Sequence, residues 1–234
     1  MTACPRRVGG DSRQRSTDSY HIMKVLLLGA SGRIGRRITN ELLDRGHAVT
    51  GVSRSGAVDG IDDSDFAAVA GDATDPDDVA DLATGHDAVA SALGPSEDED
   101  VAALVEMAEA VVEGTREAGV DRLVWTGGAG ILEVAPGVQL VDTEDFPDEW
   151  EPVARAAIDA YDVISAAEDL EWTYLAPPAF IEPGDRTGEY RTAEGELVAD
   201  DEGESRISME DFAVAFADVL EDGSAVHTQL AVGY

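Results

Sequence analysis

The residues best suited to chemistry in this chain stand near its start, in Gly29-Ala30-Ser31-Gly32-Arg33-Ile34-Gly35. Three glycines at this spacing make a loop whose backbone N–H groups can reach an anion. The first permits a tight turn, the second lets a phosphate come close to the main chain, and the third lets the next helix pack on the preceding strand. That chemistry is the holding of a pyrophosphate at a helix N-terminus. A cofactor-discriminating position follows about 20 residues later, where an Asp or Glu would accept from a ribose 2′-hydroxyl. This chain has Ser53-Arg54-Ser55 instead. A guanidinium pairs bidentately with a 2′-phosphate, serine hydroxyls can donate to it, and Arg33 can reach the same group. The prediction is a dinucleotide site for NADP(H) in preference to NAD(H). Asp72 and Ala73 are expected at the adenine, and the small residues Ser91, Ala92, Leu93 and Gly94 where a cofactor lies against the backbone.

A second chemistry is excluded by composition. Many dehydrogenases use Tyr-x-x-x-Lys, the lysine lowering the tyrosine pKa so that it can act as an acid. Lys24 is the only lysine, and the literal match Tyr20-His-Ile-Met-Lys24 leads into the first strand, away from any nicotinamide. Tyr161 is followed four residues on by Ser165. Cys4 stands alone and His21, His47, His86 and His227 are scattered, so no disulfide and no metal site are expected.

These residues need a frame that presents strand ends. Val25–Leu28 reads as a buried parallel strand, and apolar residues at helical spacing run from Arg33 to Arg45, closed by Gly46. Strands are predicted at Ala48–Ser53, Ala67–Ala70, Ala88–Ala90, Arg122–Thr126, Trp172–Leu175 and Gln229–Val232. Helices are predicted at Pro76–Ala83, Val101–Ala118, Glu151–Asp169 and Met209–Leu220. Residues 131–150 read as a loop and 176–206 as turn-rich. The alternation predicts an α/β fold, one Rossmann-type doubly wound parallel sheet with helices on both faces and a small irregular C-terminal portion. Residues 23–234 form that domain, and residues 1–22 read as a disordered extension or an upstream mis-start.

The 234 residues carry 49 Asp and Glu against 16 Lys and Arg, a net charge of −33. Arg6, Arg7, Arg13 and Arg15 face only Asp11 and Asp18 in the N-terminal segment, so the acid excess belongs to the domain. Such a surface is repelled by nucleic acid and acidic membranes, and no apolar run approaches the ~20 residues of a membrane span. Acids spread over nearly every element suggest adaptation to molar salt, where repulsion is screened within ~3 Å. A cytoplasmic monomer or homodimer is expected.

The chain resembles the atypical short-chain dehydrogenase/reductase group, within it the small NAD(P)H-binding proteins related to NmrA-like regulators and NADH-flavin reductases. Beside the glycine loop, the resemblance rests on Gly71-Asp-Ala-Thr-Asp75, Ser91-Ala-Leu-Gly94, Thr126-Gly-Gly-Ala-Gly130 and Leu140-Val-Asp-Thr-Glu-Asp-Phe-Pro147. It extends through Trp172-Thr-Tyr-Leu-Ala-Pro-Pro-Ala-Phe180 and Ile207-Ser-Met-Glu-Asp-Phe-Ala213. It implies a compact Rossmann fold, NADP(H), and reduction of a flavin that comes and goes as a substrate. Hydride transfer between stacked rings needs orientation rather than a protein acid. Leu93, Thr126, Phe146, Trp150, Pro178 and Phe180 are the candidates to line the groove, with Thr126 placed to orient a small-molecule electron acceptor. The alternative is a non-catalytic NADP(H) sensor acting through a protein partner. A sugar-nucleotide epimerase is disfavoured, since it needs the missing Tyr/Lys pair.

Overall fold

The structure, a computed structural model, describes residues 22–94 and 101–234. The expected N-terminal extension, Ile22 apart, lies outside the described residues. At the centre is β1 (Lys24–Leu28). Its side chains alternate between two faces, and both faces are covered. Val25 and Leu27 join Ile38, Leu42, Phe212 and Phe216 on one side. Leu26 and Leu28 join Val79, Val111 and Ile164 on the other.

From β1 the chain runs through α1 (Arg33–Asp44), β2 (Ala48–Ser53), β3 (Phe66–Ala70), α2 (Pro76–Ala83), β4 (Ala88–Ser91) and α3 (Ala103–Glu117). Then come β5 (Arg122–Thr126), β6 (Glu133–Ala135), β7 (Val138–Gln139), α4 (Glu151–Ser165) and β8 (Glu171–Ala176). It finishes with β9 (Phe180–Glu182), β10 (Arg191–Glu194), β11 (Arg206–Ser208), α5 (Met209–Asp222) and β12 (Thr228–Gly233). The main sheet has the order β10-β12-β8-β5-β4-β1-β2-β3. Every pair in it is parallel except β10 with β12. Helices α1 and α5 pack on one face, and α2, α3 and α4 on the other. The α/β Rossmann-type architecture expected from the sequence is the one observed. Strand order reverses between β1 and β4, which leaves a crevice at their carboxyl ends, where ligands bind in such sheets.

The expected elements hold, with three corrections. Helix α4 stops at Ser165, because the chain must turn through Ala166–Leu170 to bring Glu171 beside Asp121. Ala167 and Leu170 are buried in that turn and mimic a continuing helical face. The expected loop at 131–150 follows a short 3-10 turn at Ala129–Ile131 and holds the β6–β7 hairpin and a second such turn at Leu140–Asp142, with Gly137 in the left-handed region at φ 75°. The turn-rich segment 176–206 holds three short strands; β9 pairs with β11, and β10 covers the sheet edge. These strands are two to four residues long and, β11 apart, mostly exposed, so they are too short to carry an apolar period that a sequence could display.

Candidate functional site

The glycine loop bridges β1 and α1, and each glycine has its own physical reason. Gly29 adopts φ 80°, and its N–H and that of Ala30 both donate to the Val52 carbonyl at 3.1 Å. A Cβ on Gly29 would lie 2.6 Å from the Ala92 oxygen, and one on Gly35 would lie 2.2 Å from the Gly29 oxygen. These two glycines close the loop onto β4 and the helix onto the loop. Gly32 differs: a Cβ there would meet only the Gly29 oxygen, at 3.2 Å. It heads α1, which has no side-chain cap and no acid in its first turn. By contrast, α2 and α5 are capped by Asp75 and Ser208 and carry Asp77, Asp78, Glu210 and Asp211 in their first turns. In a chain this acidic, α1 thus keeps its unsatisfied N–H groups and positive dipole end open to an anion. The residues fit a dinucleotide pyrophosphate.

A groove of about 460 Å³ runs from this loop across the ends of β1, β2 and β4. Of the predicted residues, Gly29, Ser31, Gly32, Ser53, Arg54, Asp72, Ala73, Ala92, Leu93 and Gly94 line it. Arg33 is exposed on α1, Ile34 packs against the core, and Gly35 is buried beneath the loop, so none of the three forms the wall. Ser91 is buried, and its Oγ accepts from the Leu93 N–H at 3.4 Å, shaping the turn from below. Pro178 is buried away from the groove. The serines flanking Arg54 stitch the turn. Ser53 donates to the Ala57 carbonyl at 3.0 Å, and Ser55 Oγ accepts from the Ala57 N–H at 3.3 Å. Ser53 thus gives its hydroxyl proton to the turn, whereas Ser55, an acceptor there, keeps its own. The Thr74 hydroxyl and N–H donate to Asp72 at 2.7 and 3.0 Å, and with the positive charge of Arg54 they hold its carboxyl below the ordinary range. Met107 and Ala103, from α3, also line the groove. No local motif marks them, because they arrive from the opposite layer.

Beyond Leu93 and Gly94 the groove continues into a second compartment, an apolar pocket of about 540 Å³ that shares those two residues. Thr126, Phe146, Trp150 and Phe180 all line it, as expected. Trp150 and Phe180 remain 44% and 58% exposed, so their rings are not consumed by the core. Thr126 is buried at the end of β5, and its hydroxyl has no partner among the described residues. Tyr174 and the segment Gly127–Gly130 close the back wall. The Tyr174 hydroxyl accepts from the Gly128 N–H and donates to the Ala157 carbonyl, both at 3.1 Å, while burial raises its pKa. It is a structural strut, held on both sides.

Helix α4 turns Val153, Ala154 and Ala157 to the pocket. Tyr161, one turn on, packs edge-on against Tyr174 with ring centroids 5.0 Å apart and lies outside the pocket. Burial and the nearby Asp162 raise its pKa. The helix that would carry a dehydrogenase acid thus offers the pocket neither hydroxyl nor amine. Among the described residues, no cluster of His, Cys, Asp and Glu could hold a metal, and no helix is long and apolar enough to cross a membrane.

The chain is similar to a protein of known structure from Burkholderia pseudomallei assigned as exported: 46% identity over 91% of this chain and 100% of that one, TM-score 0.84. It is also similar to a Streptococcus pneumoniae protein assigned as an NADH-flavin reductase, with 29% identity, 90% and 99% coverage, and TM-score 0.79. The uncharacterized protein YwnB of Bacillus subtilis is 33% identical over 202 residues, 85% of this chain and 92% of that one. These relatives lend no support to a salt-adapted origin. Residues 29–223 match the NAD(P)H-binding family, and the chain belongs to it, an oxidoreductase-like protein of the atypical short-chain dehydrogenase/reductase kind.

Proposed function

We propose that the chain transfers hydride from NADPH to a flavin or a similar small electron acceptor, without a protein acid. The observation that carries this reading is the end-to-end arrangement of the two compartments. A polar groove with the glycine loop and Arg54 meets an apolar, aromatic-mouthed pocket at Leu93 and Gly94. The reduced nucleotide supplies the hydride, the flavin takes it up together with a proton from solvent, and the oxidised nucleotide leaves. The chain's own part is to hold the two reactants against each other. Orientation of that kind supplies ~7–11 kcal/mol of a barrier in favourable cases. The place of Thr126 on the pocket wall, at the end of β5, supports a role in orienting the acceptor. Arg54 on the groove wall supports preference for the 2′-phosphorylated nucleotide.

The test is titration of NADPH and NADH separately, for the wild type and Arg54→Ala, followed by addition of flavin. Loss of charge-assisted bonds of ~1.5–3 kcal/mol would weaken NADPH binding about 10- to 100-fold in the variant and leave NADH binding nearly unchanged. Equal affinities in the wild type would end the NADP assignment. Tight nucleotide binding without oxidation by any flavin would end the reductase reading and favour the sensor.

A further inference from the structure

We infer that the acceptor pocket selects an uncharged, phosphate-free flavin ring system, riboflavin rather than its phosphorylated forms; this rests on the reductase reading above. Asp145 is the only charged side chain among the described residues that line the pocket. Phosphate sites in proteins are built from Arg, Lys or an open helix N-terminus; this pocket has neither Arg nor Lys on its described wall, and the one long helix that begins there, α4 behind Trp150, opens with Glu151 and has a proline in its first turn. The arginines on neighbouring elements are committed elsewhere. Arg155, on the helix that walls the pocket, is held by Asp142 at 2.8 Å and Glu151 at 3.3 Å. Arg206, in register with Phe180, is held by Glu204 at 3.4 Å.

The contrast with the adjoining groove is direct. There, Arg54 stands on the wall and α1 presents an uncapped, acid-free N-terminus. The two compartments meet at Leu93–Gly94, and cationic character stays on one side of that boundary. A planar ring without charge matches the apolar walls and the exposed Trp150 and Phe180 rings at the mouth, which can stack on it. A phosphate on the ribityl chain would instead meet Asp145 and the field of a chain with net charge −33.

The size of the effect follows from Coulomb's law. A dianionic phosphate ~8 Å from one carboxylate in a watery mouth loses affinity about fivefold. The rest of the acidic surface adds to this, and salt screens it.

The experiment measures dissociation constants of riboflavin and FMN by flavin fluorescence, with the chain saturated by NADP+ so that no turnover occurs. It uses the lowest salt at which circular dichroism shows the chain folded, and then 1 M salt. Expected are an at least fivefold preference for riboflavin at low salt, a smaller one at 1 M, and a narrowed ratio in Asp145→Asn. FMN bound as well as or better than riboflavin at low salt would overturn the inference, as would a ratio unmoved by Asp145→Asn. Flavin binding with the expected preference but no NADPH oxidation would refute the reductase reading and leave the selectivity standing. No binding of either flavin would overturn both.

Discussion

Gly32→Ala and Gly35→Ala place the same methyl group in one loop and should do opposite things to the fold. Gly32 has φ −68° and ψ 168°, a conformation open to any residue. An added Cβ meets only the Gly29 oxygen, at 3.2 Å, and a few tenths of an ångström relieve it. Alanine there also restricts the unfolded chain, an effect of about 0.4–1 kcal/mol in favour of folding. For a chain of this length that is about 1–4 °C in melting temperature. The same methyl stands where a pyrophosphate must approach the main chain. Holding off one charge-assisted hydrogen bond loses about 1.5–3 kcal/mol, or roughly 10- to 100-fold in NADPH affinity. At Gly35 the methyl would overlap backbone, 2.2 Å from the Gly29 oxygen and 2.9 Å from its carbonyl carbon. Overpacking of this kind costs about 1–3 kcal/mol, so melting falls by about 2–12 °C, and binding is lost along with the loop. Thermal melts without nucleotide, paired with NADPH titration well below the melting range, separate the two variants. A Gly32→Ala chain that binds NADPH like the wild type would show that the pyrophosphate does not lie at this glycine. One that melts as low as Gly35→Ala would show the packing account to be wrong.

Thr126→Val keeps the shape of a buried side chain and removes a hydroxyl that has no partner among the described residues. Stability should hold or rise, while kcat/KM for the acceptor falls about 2- to 10-fold, the worth of one ordinary hydrogen bond; an unchanged kcat/KM would remove Thr126 from the site. Asp211 is fully buried and accepts from the Thr187 and Gly188 N–H groups, the Thr187 hydroxyl and the Tyr234 hydroxyl at 2.8, 2.7, 2.6 and 2.7 Å. Burial raises its pKa, but these donors outweigh it and leave the carboxyl below the ordinary value. Asp211→Asn should therefore lose about 3 kcal/mol at pH 7. Because a depressed folded pKa gives stability that is present above the unfolded value and lost as pH falls through the folded one, the gap between wild type and variant should close below about pH 4. Denaturant melts from pH 7 to 3 measure it, and a gap that widens in acid would contradict the assignment.

The glycine loop and its frame were legible in the sequence because each is local. A run of apolar residues, a turn and a helical period lie next to one another, and Arg54 follows at a fixed offset. Side-chain bookkeeping around that frame was less legible. Ser53 reads as a phosphate ligand by type, yet its hydroxyl proton goes to the Ala57 carbonyl, while Ser55 only accepts from the Ala57 N–H. Arg33 and Ile34 sit inside the motif but off the groove wall, since the helix turns them away. Phe146, Trp150 and Phe180 could be named as large apolar residues in loops. Met107 could not, since its place on the wall depends on how α3 crosses the sheet. The short strands of 131–150 and 176–206 were hidden for the same reason: they are fixed by pairing partners, not by their own composition.

The two compartments are built from different parts of the molecule, and this bears on how the protein can change over generations. The groove is cut from the ends of β1, β2 and β4, whose backbone is fixed by the sheet and by helices on both faces. Much of the pocket wall, including Phe146, Trp150 and Phe180, hangs from segments outside the main sheet. On the proposed function, substitutions in that wall would exchange one acceptor for another while the reductant half stays intact. Among the described residues only Leu93 and Gly94 belong to both, so on the proposed function a mutation there would answer to two ligands at once. On that function, a fold divided in this way would let substrate range drift under weak constraint while its source of electrons is inherited unchanged.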